Sequence, residues 1–165
     1  MVDYYIRRHG RKLYGLCMTL CANTDDADEL YQDTWIKVIE NISKYDQARD
    51  FGPWLTRICV NIYRNKLRRL LRSPIWDGFA SGEEKDALIN SIPAPTPDDN
   101  SDLHEAINRL PEKLRLTVIL FYFEDMDAAT AAKALGIPAG TVKSRLNKAR
   151  KMLREALENK TDIQF

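Results

Sequence analysis

Glycine and proline, the residues that most often interrupt regular secondary structure, are scarce along most of this chain and crowded in one place. The sequence has 165 residues with seven of each, and three of the prolines fall within residues 93–97. An all-β chain would need turn residues such as glycine and proline about every 8–12 positions. The segments on either side of this proline cluster contain longer runs without glycine or proline. The sequence therefore predicts an all-α fold of two small helical domains, residues 1–72 and 102–165, joined by a flexible linker over residues 73–101.

The charge of the chain is divided among the same three parts. The total is only +1, which by itself indicates no partner, but residues 1–72 carry +4, residues 73–101 carry −5 and residues 102–165 carry +2. Two basic segments therefore flank an acidic connector. The near-neutral total therefore hides an uneven distribution of charge along the chain.

The cysteines and histidines exclude several classes of site. Cys17, Cys21 and Cys59 are odd in number and have no C-x-x-C spacing, so we expect buried thiols in a reducing, cytoplasmic environment rather than disulfides. With His9 and His104 as the only histidines, we expect no metal and no cofactor. The sequence contains no recognisable set of catalytic residues, so we expect that the protein is not an enzyme and has no small-molecule substrate. No run of about 18 apolar residues occurs, so we expect no direct membrane insertion.

Apolar residues at helical spacing predict three helices before the connector. The first spans residues 3–22. The second begins where Asp25 or Asp26 can cap it. Residues 43–50 have no apolar stripe and predict a loop, after which Pro53 lies in the first turn of a third, basic helix.

The second half of the chain predicts a helix-turn-helix. A helix over residues 102–110 and another from Pro111 precede a short alanine-rich helix over residues 128–135, a turn at Gly136, and a basic helix over residues 139–157. The last helix has an apolar stripe on one side and cations on the other. A solvated amphipathic helix would look similar, but the preceding turn favours DNA binding, through phosphates and base edges. The candidate DNA-binding residues are Thr141, Lys143, Ser144, Arg145, Asn147, Lys148 and Arg150.

Strings in both halves resemble the extracytoplasmic-function (ECF) sigma factors of RNA polymerase. Leu110–Arg115, Leu135–Pro138 and Gly140–Leu146 resemble region 4 of that family, and Asp26–Leu30 and Trp54–Asn61 resemble region 2. The resemblance implies an alternative sigma factor that binds core RNA polymerase and directs promoter recognition. Region 2 would meet the −10 element, and region 4, the helix-turn-helix, would meet the −35 element.

The resemblance also implies roles for residues of the first half. The acidic start of the second helix would dock on core polymerase, although a helix dipole alone favours carboxylates there; these residues are Asp26, Asp28, Glu29, Gln32 and Asp33. An aromatic and polar loop beside a basic helix suits melted −10 DNA, whose unstacked bases need a π-face or a pocket. The candidates are Tyr45, Phe51, Asn61, Arg64 and Arg68, with core packing as the simpler explanation for Phe51.

Two other functions fit part of the sequence. A freestanding helix-turn-helix regulator of duplex DNA explains residues 110–157 but not the resemblance to region 2, and a protein-binding adaptor would leave both basic faces solvated. The family resemblance further leads us to expect promoter DNA and an anti-sigma factor as partners. We expect the free protein to bind promoters weakly, because its halves can pack together or be held by that inhibitor. The alanine-rich segment 127–131 departs from the family and predicts weaker −35 contacts.

Overall fold

The computed structural model describes residues 2–72 and 101–163, and the regular secondary structure of these two ranges is entirely helical. An N-terminal bundle contains α1 (Val2–Leu20), α2 (Thr24–Asn41), a 3-10 turn (Ile42–Lys44) and α3 (Phe51–Arg72). A C-terminal bundle contains α4 (Ser101–Asn108), α5 (Glu112–Val118), a π-helical turn (Ile119–Phe123), α6 (Ala128–Leu135) and α7 (Ala139–Ile163). The all-α prediction is confirmed. The predicted linker, apart from Ser101, lies outside the described residues.

The start of α2 corrects the predicted cap. Asn23, not Asp25 or Asp26, is the N-cap, since its extended backbone lets its side-chain oxygen accept from the Asp26 N–H at 2.8 Å. The Asp26 carboxylate in turn accepts from Asn23 Nδ2 at 2.9 Å. Each residue thus satisfies a donor of the other, and α2 starts one turn after α1 ends.

The core of the N-terminal bundle forms where α2 packs between α1 and α3. Leu16, Leu30 and Val60 are fully buried in it. All three cysteines are buried and free, as predicted for core thiols, and Cys17 Sγ lies 3.9 Å from Cys59 Sγ. Burial raises the pKa of the Cys21 thiol to about 12, so this group stays protonated at neutral pH.

The predicted helix-turn-helix is present in the C-terminal bundle. Asp127 caps α6 by accepting from the Thr130 N–H at 2.7 Å. Gly136 ends the helix in the left-handed region, with φ 68° and ψ 36°, where a residue without Cβ is favoured. The α7 helix then follows, and it continues past the predicted end at residue 157.

The two bundles are packed against each other in this structure. Helix α3 lies along α6, and buried residues of both bundles form one continuous apolar core. None of the helices in the described parts of the chain is long and apolar enough to cross a membrane. The packing matters for function because α3 and α7, which carry the predicted DNA contacts, are brought to the same region of the molecule.

Candidate nucleic-acid interface

The outward face of α7 carries most of the predicted −35 contacts. Val142, Leu146 and Ala149 point inward and are buried, as the apolar stripe predicts. Thr141 and Arg145 are half-buried at the edge of the face. The exposed members are Lys143, Ser144, Asn147, Lys148 and Arg150. Cations and short polar side chains on one exposed face are what phosphate and base-edge contacts require.

One residue next to this face was missed by the sequence reading. Tyr122 lies in the π-helical turn, not in α7, and its side chain is 48% exposed. Its hydroxyl accepts a hydrogen bond from Arg150 Nε at 2.7 Å. The sequence pattern treated this tyrosine as part of a regular amphipathic helix, so it gave no sign that the ring would face α7.

The aromatic candidates for the −10 element differ in accessibility. Phe51 is only 5% exposed and stacks on Tyr5 with ring centroids 4.0 Å apart. It presents no free ring face, so its position supports the simpler explanation of core packing. Tyr45 is half-buried at the surface, with its ring 4.9 Å from that of Trp54 and its hydroxyl donating to the Arg49 carbonyl.

The three polar candidates on α3 lie one and two turns apart. Asn61 and Arg68 are exposed, whereas Arg64 is half-buried and donates from Nη1 to the Leu135 carbonyl at 3.1 Å, at the end of α6. Burial and the positive charge of Arg64 lower the pKa of Arg145 on α7. Candidate −10 and −35 residues therefore meet at the contact between the bundles.

A second arginine joins the bundles from the other side. Arg115 of α5 is 5% exposed. It donates to the Thr19 and Leu20 carbonyls at the end of α1, at 2.7 and 3.2 Å, and to the Tyr63 hydroxyl at 3.2 Å. Glu112 lies 3.7 Å from its guanidinium. The cation thus fills a buried site made mainly of helix-end carbonyls, which favour positive charge.

A cleft of about 510 Å³ lies at the same interface, between α1, the start of α3 and the segment that leads into α6. One wall is basic and the other acidic; the charged lining residues include Arg8, His9, Lys12, Glu124, Asp125 and Asp127. Burial raises the pKa of the Glu124 carboxyl to about 7, against the opposing effect of Lys12. A carboxyl that titrates near neutral pH therefore sits where the bundles meet.

The predicted polymerase-binding residues of α2 make contacts inside the N-terminal bundle. Glu29 and Asp33 pair with Lys66 of α3 at 3.3 and 2.8 Å. Asp28 accepts from the Tyr14 hydroxyl at 2.8 Å. Gln32 is exposed and Asp26 serves the cap described above.

The same helix also exposes two large apolar residues. Ile36 and Ile39 are 54% and 55% exposed. Their positions lie outside the buried stripe formed by Leu30, Trp35 and Val38. This offset was the signal in the sequence that could have identified them as exposed. Large apolar side chains exposed side by side are typical of protein-binding surfaces.

Comparisons with known proteins agree with this architecture. The family models for sigma-70 region 2 and sigma-70 region 4 match residues 5–73 and 101–153. The ECF RNA polymerase sigma factor SigW of Bacillus subtilis is 29% identical over 90% of this chain and 84% of its own length. RNA polymerase sigma factor NccH of Alcaligenes xylosoxydans is 31% identical, over 93% of this chain and 85% of its own. The solved structure of sigma factor RpoE from Bartonella quintana, in complex with the anti-sigma factor NepR, superposes with a TM-score of 0.77 at 25% identity, covering 94% of this chain and 96% of that one.

Helical bundles matching regions 2 and 4, with a helix-turn-helix in the second, define a sigma-70-type transcription initiation factor. The chain belongs to the ECF sigma factors, and it is an alternative sigma factor that directs promoter recognition and transcription initiation by RNA polymerase. Family membership decides against the freestanding regulator and the adaptor.

Proposed function

We propose that this sigma factor reads the −35 element with the outward face of α7 and the −10 element with α3 and Tyr45. On α7 the exposed Ser144 and Asn147 are short enough to reach base edges, while Lys143, Lys148 and Arg150 neutralise phosphates. The full set on α7 includes Thr141 and Arg145 at its edges. On the −10 side, Asn61, Arg64 and Arg68 share one face of α3, and Tyr45 supplies the accessible ring.

Core polymerase binds the exposed side of α2 in this proposal. Gln32, Ile36 and Ile39 form the contact itself. Asp28, Glu29 and Asp33 take part through their outward lone pairs while their bonds to Tyr14 and Lys66 hold them in place. The two isoleucines supply apolar area that charged residues alone would not.

The free protein adopts the closed arrangement of its bundles and binds promoters weakly. The observation that carries this is the bond from Arg64 to the Leu135 carbonyl, which commits a −10 candidate to the helix-turn-helix. With α6 lying against α3, the two DNA-reading surfaces cannot spread along a promoter. Core polymerase, by binding each bundle separately, would pull them apart, release Arg64 from Leu135 and let the two surfaces reach their separate elements.

The protein acts in the cytoplasm as a binding factor rather than an enzyme, without a cofactor or small-molecule substrate. A factor that works on polymerase and promoter DNA needs no chemistry of its own, and the sequence offers no catalytic constellation. An anti-sigma factor is its regulatory partner; the Bartonella quintana relative was solved with one bound.

Promoter binding with and without core polymerase tests this function. A labelled duplex carrying both elements should bind the sigma factor tightly only when core polymerase is present. The test uses a library of −35 sequences. Asn147→Ala should change which sequences are preferred, whereas Lys148→Ala, which removes a phosphate contact alone, should weaken all of them about equally. Tight, sequence-selective binding by the sigma factor alone would contradict the closed free form.

A further inference from the structure

Arg150 links Tyr122 to Asn147, one of the residues proposed to read the −35 element. The Tyr122 hydroxyl accepts from Arg150 Nε at 2.7 Å, and the guanidinium carbon lies 5.7 Å from the centre of the tyrosine ring. The same guanidinium donates from Nη1 to Asn147 Oδ1 at 3.4 Å. Three side chains from two separate elements are therefore joined in one chain of contacts on the exposed side of the C-terminal bundle.

The direction of these bonds fixes the chemistry that Asn147 can offer. An arginine side chain has five N–H donors and no acceptor, so the atom of Asn147 that faces it must be the amide oxygen. The amide nitrogen, with its two donors, is left pointing away. An asparagine whose oxygen and nitrogen are both free pairs with adenine in a bidentate way. With one lone pair of its oxygen engaged by Arg150, Asn147 turns its two N–H donors outward, and these suit the acceptors of guanine (N7 and O6) or thymine (O4).

We propose that Tyr122 is a positioning residue that sets −35 sequence preference: by anchoring Arg150 it orients the Asn147 amide so that its N–H groups face the base edges. The inference rests on the proposed role of Asn147 at the −35 element. It goes further in two ways. It names a residue outside α7 that affects base reading, and it names the kind of base edge that α7 prefers. Tyr122 itself does not need to touch DNA.

Tyr122→Phe is the informative variant, because it removes the hydroxyl but keeps the ring over the guanidinium. The residue is half-exposed, so the fold should be unaffected. The chain supplies a matched control in Tyr4→Phe. Tyr4 is 57% exposed, and its hydroxyl also accepts from an arginine, Arg8 Nη1 at 2.8 Å, but it lies on α1.

The experiment measures binding and transcription by the holoenzyme on a library of −35 sequences. Tyr122→Phe should reduce the preference at one base position by about 3- to 10-fold, the value of one hydrogen bond, with no change in melting temperature. Tyr4→Phe should leave the preference as it is. Asn147→Asp, which exchanges the donors for acceptors, should shift the same position toward cytosine, whose N4 is a donor.

Two results would overturn the proposal, and they separate it from the function on which it rests. If Asn147→Ala changes the preference but Tyr122→Phe does not, Asn147 reads bases without help from Tyr122. If Asn147→Ala also scales every sequence equally, the base-reading role of α7 at this position fails as well.

Discussion

Arg115 is a buried residue that joins the two bundles. Its guanidinium is buried and satisfied by the last carbonyls of α1 and by Tyr63. Removing one partner from such a buried charged site leaves the others without compensation, which costs about 3–5 kcal/mol. Arg115→Ala should therefore lower the free energy of unfolding by that amount in urea titrations.

Arg109→Ala is the matched control for this substitution. Arg109 pairs with Glu105 one turn away, but its side chain is 69% exposed. Exposed pairs contribute about 0–1 kcal/mol, so this variant should unfold almost like the native protein. Equal effects of the two substitutions would show that Arg115 does not hold the bundles together.

Glu124 makes the closed form sensitive to pH. Its pKa is raised from 4.5 to about 7 by burial, with Lys12 acting against the shift and Asp125 adding to it; Arg8 and His9 also line the cleft. Because the folded pKa is the higher one, the folded state holds the proton more tightly. The resulting stability is complete below pH 4.5 and is lost as the pH rises through 7.

Unfolding free energies at pH 5.5 and pH 8 measure this effect. From pH 5.5 to pH 8 the native protein should lose stability relative to Glu124→Gln, which is neutral at every pH and keeps the opposing contribution of His9, whose pKa is lowered by burial, Arg8 and Lys12. A pH profile that is unchanged by Glu124→Gln would assign the effect to another group.

Among the elements, the turn of the helix-turn-helix requires a residue that tolerates a left-handed backbone conformation. Gly136 has φ 68°, where a side chain with Cβ is disfavoured by about 1–2 kcal/mol. Gly136→Ala should lower the unfolding free energy accordingly. Gly140→Ala is the control of opposite sign: Gly140 lies within α7 with open space at its Cβ, so the change should be neutral or stabilising by up to about 1 kcal/mol. Destabilisation of equal size by both would contradict this account.

The exposed face of α2 is tested through its two isoleucines. Ile36→Gln with Ile39→Gln removes apolar area without disturbing the core, since both side chains are more than half exposed. The affinity for core polymerase should fall about 10-fold or more, as expected where apolar residues lie at the centre of an interface. Leu103→Gln, at an exposed apolar position on α4, is the control. Equal binding by the α2 variant and the control would remove these residues from the polymerase contact.

The helices could be predicted from sequence wherever one apolar stripe meets one core. The structure differed from the sequence-based prediction where a helix packs against two partners or changes its number of residues per turn. The weaker −35 contacts expected from residues 127–131 stay a prediction: Ala131 is buried in a helix packed between α3 and α7, whereas Ala129 is exposed. The π-helical turn that places Tyr122 beside Arg150 rests on bonds such as Glu124 N–H to the Ile119 carbonyl, at 3.1 Å, which a 3.6-residue pattern does not represent.

At the scale of the whole molecule, two bundles that are proposed to contact different promoter elements share one contact surface. The two basic halves could be predicted because charge and motifs are local properties of the sequence. That the halves can pack together was also predicted, but without naming any contact between them. The sequence could not predict that Arg64 would bind the end of α6 or that Arg115 would bind the end of α1. Those contacts join residues far apart in sequence, and no pattern within one helix carries that information.

The distance between the bundles in solution tests the closed form most directly. Cysteines introduced at the exposed positions Lys37 on α2 and Lys151 on α7 can carry spin labels, since the native cysteines are buried. Pulsed electron paramagnetic resonance on the free protein should give one narrow distance distribution, matching the structure. The same labels in the holoenzyme bound to a promoter should give a different and longer distance. A broad distribution in the free protein, or an unchanged distance in the holoenzyme, would contradict the account.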